Sequence, residues 1–273
     1  MPLAKETKDI EGVKVFQNPA ITVVSIDEFT VELQDLLKER LAEICWGPTA
    51  NGSKLVAESY EYTMQSLWGR VSNKHFKTQI GMAGELITHL FLARPSAGYV
   101  SVNRMFNLEE SSIKKGFDLV LTKQESGELF LVEVKASGIL TSDSKKKVLN
   151  LLKVSNNDMN GKLNKPADNL WNNALSHCSS ALKKTDLRDK IEAILEVCRD
   201  EALTFPSAKD QNVILAGINF NGDKGFCDLE EIAKSIAAYK KWGQYKSLTY
   251  FVAQKKTYTA VLTFIESEAA LCP

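Results

Sequence analysis

The sequence predicts a mixed α/β fold, with one sheet flanked by helices. Three observations predict it. Two largely apolar runs, 116–122 and 129–135, stand either side of a polar stretch, 123–128, and read as the arms of a β-hairpin. Residues 212–220 form a near-continuous apolar run, the pattern of a central strand covered on both faces. Segments with helical spacing of apolar side chains precede and separate these runs, so helices and strands share one architecture.

Taken in order, the run 20–24 within residues 12–25 is a strand. A helix follows over 25–45, with Ser25 as N-cap and Glu28 completing a capping box. Gly47-Pro48 and Asn51-Gly52 break it. Tyr60, Met64, Leu67 and Trp68 carry helical spacing within 54–73. Residues 78–93 form a stronger helix, with Ile80, Ala83, Ile87, Leu90 and Phe91 on one stripe. A short strand at 99–103 precedes the hairpin. Residues 138–167, polar and rich in lysine, read as a long excursion, partly ordered at best. Helices follow over 168–183 and 186–202, marked by the stripes Leu170, Trp171, Ala174, Cys178 and Leu187, Ile191, Ile194, Leu195. After the strand at 212–220 a helix covers 228–242, and two strand-like runs, 248–253 and 258–264, close the chain. The order from residue 78 onward is helix, three strands, helices, strand, an αβββαβ core. This divides the chain into an N-terminal α/β extension (1–74), a core (75–222) and a C-terminal helix with a strand pair packed on that core (223–273).

The 273 residues are 44% apolar and 25% charged, as in ordinary soluble globular proteins. Lysine plus arginine and aspartate plus glutamate balance at 34 each, so any affinity for nucleic acid must come from a local basic surface. Five scattered cysteines without a C-x-x-C pair exclude a disulfide framework and a cysteine zinc site. The three histidines have no metal-ligand spacing. There is no Walker A string and no G-x-S-x-G elbow. With no signal peptide and no bilayer-spanning run, the expected location is cytoplasmic.

The chemistry concentrates in the hairpin. Centred on 123–128, it sets Asp118 opposite Glu133. Alternation puts Asp118, Val120, Leu131, Glu133 and Lys135 on one face, with Phe117, Leu119, Leu121, Phe130, Val132 and Val134 on the other. Directly opposed residues are about 5 Å apart, where like charges repel. Two carboxylates gathered there call for positive charge. A divalent metal supplies it; so, in a purely structural ion cluster, does Lys135.

The string Gly116-Phe117-Asp118, a gap, then Glu133-Val134-Lys135 resembles the PD-(D/E)-x-K nuclease superfamily, with Phe117 where that family often has proline. The order of elements over about residues 75–220 is similar to its restriction-endonuclease-like core. The resemblance implies Mg²⁺, with Mn²⁺ as a substitute, held by the carboxylates of Asp118 and Glu133 and the Val134 carbonyl. It implies that Lys135 orients the attacking water or helps deprotonate it. It also implies an acidic residue from the first core helix, as metal ligand or water anchor, and Glu85 is the matching position. The alternative for Glu85 is an exposed helix pair with His89. Gly81 and Gly84 would let this helix approach another backbone closely. Lys114 and Lys115 before one arm, and Lys145, Lys146 and Lys147 after the other, would hold DNA phosphates, or are simply solvated.

More narrowly, Gly84-Glu85-Leu86 together with the stretches 115–120 and 128–135 looks like the HamA family, nuclease subunits of Hachiman-type anti-phage defence systems. That implies DNA as substrate and a helicase or other ATPase subunit as partner, which suits the missing ATP motif. The competing readings are a stand-alone restriction-type endonuclease and a non-catalytic module that binds DNA or protein.

Overall fold

The computed structural model describes residues 10–94, 98–106, 116–138, 143–166, 168–222, 225–255 and 258–272. Strands β1 (Val13–Gln17), β2 (Ile21–Ile26), β3 (Tyr99–Ser101), β4 (Leu119–Lys123), β5 (Leu129–Ser137), β6 (Asn212–Asn219) and β7 (Ser247–Lys255) form one sheet. Its order is β1-β2-β7-β6-β5-β4-β3. β3, β4 and β5 make an antiparallel meander, whereas β5, β6, β7 and β2 run parallel and β1 pairs antiparallel at the edge. All of β6 is buried, as its unbroken apolar run requires. Strands from each of the three stretches of the chain thus join a single sheet.

Helices α1 (Val31–Trp46), α2 (Tyr60–Val71), α3 (Phe76–Leu92) and α8 (Tyr258–Leu271) cover one face. They bury Val24, Leu119, Leu121, Val132, Ile214 and Phe251 of the sheet against Leu37, Leu41, Ile87 and Phe91. On the other face lie α4 (Ser144–Leu163), α5 (Asp168–Ala181), α6 (Asp186–Thr204) and α7 (Leu229–Ala238). There Val23, Val120, Leu131, Leu215 and Val252 meet Leu152, Trp171, Ile191 and Ile232. The mixed α/β fold and the helix, three strands, helices, strand order are as the sequence leads one to expect.

Four local expectations are corrected. Ser25 caps no helix: β2 continues through Ile26 because Ser25 and Ile26 still pair with Gln254 and Lys255 of β7. α1 begins later, with Thr30 Oγ1 accepting the Leu33 N–H. Residues 138–167 contain a twenty-residue helix, α4. Its buried stripe of Val148, Leu151, Leu152, Ser155, Met159 and Leu163 has helical spacing, but Ser155 and Asn156 interrupt the apolar signal. The run 258–264 is helical, since Val261, Phe264, Ile265 and Ala269 together pack one face of α8 on the core. α7 ends at Ala238, short of residue 242.

Candidate active site

The hairpin forms in the expected register. Leu119 pairs with Val132, Val120 with Leu131 and Leu121 with Phe130. One step further sets Asp118 opposite Glu133, and the Val134 N–H donates to Asp118 Oδ2 at 2.7 Å. Regular strand starts only at Leu119, so alternation does not reach Phe117. That ring turns to the same side as Val120 and packs edge-on against Trp171, 5.1 Å between centroids. This corrects its expected place on the opposite face.

Glu133 is the centre of the cluster. Its side chain is 1% exposed, and each carboxylate oxygen accepts from a lysine: Oε1 from Lys135 at 2.8 Å and Oε2 from Lys162 at 2.6 Å. Lys135 bridges onward to Asp158 Oδ2, also at 2.8 Å. Lys162 donates in addition to the Gly116 carbonyl at 3.1 Å, and the Ser155 hydroxyl donates to the Glu133 carbonyl at 2.7 Å. Ser155, Asp158 and Lys162 all belong to α4. Gly217 of β6 stands beside Lys135 in the sheet, and a Cβ there would come within 3.3 Å of the Leu152 side chain. The bare glycine lets α4 lie close over β6, next to the strand that carries the cluster.

Burial and the Asp118 carboxylate push the Glu133 carboxyl above the usual range, against the pull of Lys162 and Lys135. Burial alone would depress Lys135, but Glu133, Asp158 and Asp118 outweigh it and hold the ammonium above the ordinary lysine value. Three carboxylates, Asp118, Glu133 and Asp158, stand against the two ammonium groups, and opposed carboxylate oxygens suit a hard divalent cation. Among the described residues no group of three or more His, Cys, Asp or Glu side chains converges. Asp118 and Glu133 are the residues that would hold a Mg²⁺ ion, which commonly needs few protein ligands because it keeps several waters.

The remaining candidates are placed unevenly. Glu85 lies half-buried on α3, which covers the face of β5 opposite Glu133 and Lys135. Its neighbour Gly84 brings the helix down onto β5, where a Cβ would sit 2.6 Å from that of Ala136. Gly81 makes no such approach, as nothing lies within 4 Å of an added Cβ. His89 is buried and Glu85 half-buried, so the two are not the exposed residues of the alternative reading. Lys145, Lys146 and Lys147 occupy the first turn of α4, not a loop. At about 1.5 Å per residue they lie roughly 18 Å along the axis from Asp158. They flank the ion cluster and take no part in it. Lys114 and Lys115 are outside the described residues. Sequence reading missed Ser155, Asp158 and Lys162; the stripe from Val148 to Leu163, read with Ser155 as a buried member, is the signal that places them on one helix.

Among the described residues no helix is long and apolar enough to cross a membrane. No curated protein and no solved structure matches the chain. A family model described as HamA matches residues 6–265. That span contains the whole sheet, the hairpin with its opposed carboxylates and the α4 helix that closes over them. Nearly the full chain is thus accounted for by one family, and the protein belongs to the HamA family, which associates it with Hachiman-type defence.

Proposed function

We propose that this protein is a Mg²⁺-dependent DNA nuclease of the PD-(D/E)-x-K type, the effector subunit of an anti-phage complex in which a helicase delivers the DNA. The observation that carries the reading is the opposition of Asp118 and Glu133 with Lys135 on the same face of β5, in a member of the HamA family. Asp118 and Glu133, one from each arm of the hairpin, would hold the ion together with the Val134 carbonyl. A bound divalent cation makes water more acidic and polarises the phosphoryl oxygens. Lys135 stays an ammonium at neutral pH, so its part is to donate a hydrogen bond to the attacking water and to offset charge on the phosphate. Asp158 holds that ammonium from the helix side. Glu85 joins the set through the resemblance alone, since α3 covers the face of β5 opposite Glu133 and Lys135. Lys145, Lys146 and Lys147 supply a local basic surface on a chain with no net charge, which suits a subunit whose partner contributes most of the DNA affinity.

Supercoiled plasmid incubated with the purified chain and Mg²⁺, alone and with any helicase encoded beside it, tests the proposal. Nicked or linear product is expected, abolished by chelation. Lys135→Ala is expected to slow cleavage by on the order of 100-fold or more. Intact plasmid in every combination, with Mg²⁺ and with Mn²⁺, rejects the nuclease reading and favours a module that only binds.

A further inference from the structure

Lys162 reaches the cluster from the last turn of α4. Its two acceptors are Glu133 Oε2 and the carbonyl of Gly116, two residues before Asp118. These oxygens belong to the two arms of the hairpin. An ammonium drawing oxygen from both arms places positive charge at Glu133, where a cation held by Asp118 and Glu133 would also place it. It is also the partner able to leave. Glu133 is fully enclosed, whereas Lys162 is 26% exposed at the end of a flexible four-carbon stem. Lys135 is equally exposed, but both of its contacts are ion pairs, to Glu133 and Asp158, whereas the second contact of Lys162 is to a neutral carbonyl.

We propose that Lys162 is a built-in counter-ion of the metal-free site, a positioning residue that neutralises Glu133 until a divalent cation takes its place. This rests on the metal-dependent reading above and adds a competitor for the same carboxylate. An enclosed carboxylate oxygen left without a donor destabilises a fold even when its twin is paired, so the contact supports the metal-free protein. The same contact weakens metal binding, because an incoming cation must displace the ammonium, and the two effects are linked. Loss of the Lys162 charge therefore makes the metal-free protein less stable and the metal site tighter. A lysine that merely shaped the site would weaken both.

The full-length chain without DNA serves for the test, with Mn²⁺ binding measured by calorimetry and thermal melting followed in chelator and in Mn²⁺. Lys162→Gln is expected to melt lower than wild type in chelator and to bind Mn²⁺ more tightly, by on the order of tenfold, the equivalent of one charge-assisted hydrogen bond. Lys162→Arg keeps the charge and is expected to keep the wild-type affinity; an affinity as high as that of Lys162→Gln overturns the proposal. Equal or weaker Mn²⁺ binding by Lys162→Gln also overturns it, while leaving the metal-dependent site standing. No binding by wild type or variants removes both. Should Lys162→Gln be unfolded in chelator, recovery of its native circular dichroism on adding Mn²⁺ supports the proposal, and failure to recover overturns it.

Discussion

Glu133 has Asp118 across the hairpin and a lysine on each of its oxygens, so its titration reports the balance among these charges. Burial is the largest influence raising its pKa and the Asp118 charge the next, and an amide at 118 removes only the second. In metal-free Asp118→Asn the Glu133 carboxyl is expected to titrate at lower pH than in wild type, measured by carbon-detected NMR of the side-chain carboxyl. An unchanged titration would mean that the two carboxylates do not oppose one another. The opposition itself was legible in the sequence, because a polar turn of known length between two apolar arms sets the register. Asp158 and Lys162 were not. A lysine and an aspartate amid the polar residues of 138–167 look like any solvated pair until Ser155 and Asn156 are recognised as buried. They are buried because they have partners: Ser155 donates to the Glu133 carbonyl, and Asn156 Oδ1 accepts the Gly243 N–H.

Among the elements, α3 and β5 make the closest approach near the site. Gly84 touches Ala136, one residue beyond Lys135, and no room is left for even a methyl group. Gly84→Ala is expected to destabilise the protein by about 1–3 kcal/mol, the usual cost of overpacking. Urea denaturation measures it, and Gly84→Ala combined with Ala136→Gly is expected to recover a large part of the loss. The double variant behaving no better than the single one would place the strain elsewhere. Elements with one clear period, such as α3, α5, α6 and β6, are readable from the sequence alone. Where tertiary pairing competes with local preference, reading fails. Ser25 has the look of a helix cap, yet β7 holds it in a strand. Tyr258 to Phe264 has the residues of a strand, yet its buried set only makes sense at helical spacing once Ile265 and Ala269 are included.

Over the whole molecule, the sheet is finished by strands from opposite ends of the chain. Asp27, just past β2, accepts from Lys14 of β1 at 2.8 Å and from Lys255 at the end of β7 at 2.6 Å. Burial opposes the charge, but Lys14, Lys255 and Ser25 outweigh it and hold the Asp27 carboxyl well below the usual carboxylate range. A depressed pKa contributes stability that is complete above the unfolded value of about 4 and is lost as pH falls below it. Asp27→Asn is therefore expected to be less stable than wild type by about 1 kcal/mol at neutral pH, with the difference shrinking below about pH 4. Urea midpoints across that range measure it; a difference independent of pH would assign the effect to packing. The pairing of Ile21 with Tyr250 spans about 230 residues of sequence. On the ribosome, β2 is thus made with β1 beside it but long before β7 exists. Its edge toward β7, carrying Val23 and Val24, waits while more than 200 further residues are translated, open to chaperones and to other nascent chains. β4, β5 and α4 emerge well ahead of β7, so the charge cluster is already synthesised while the sheet around it is unfinished. The yield of folded protein consequently depends on how quickly the last strand follows.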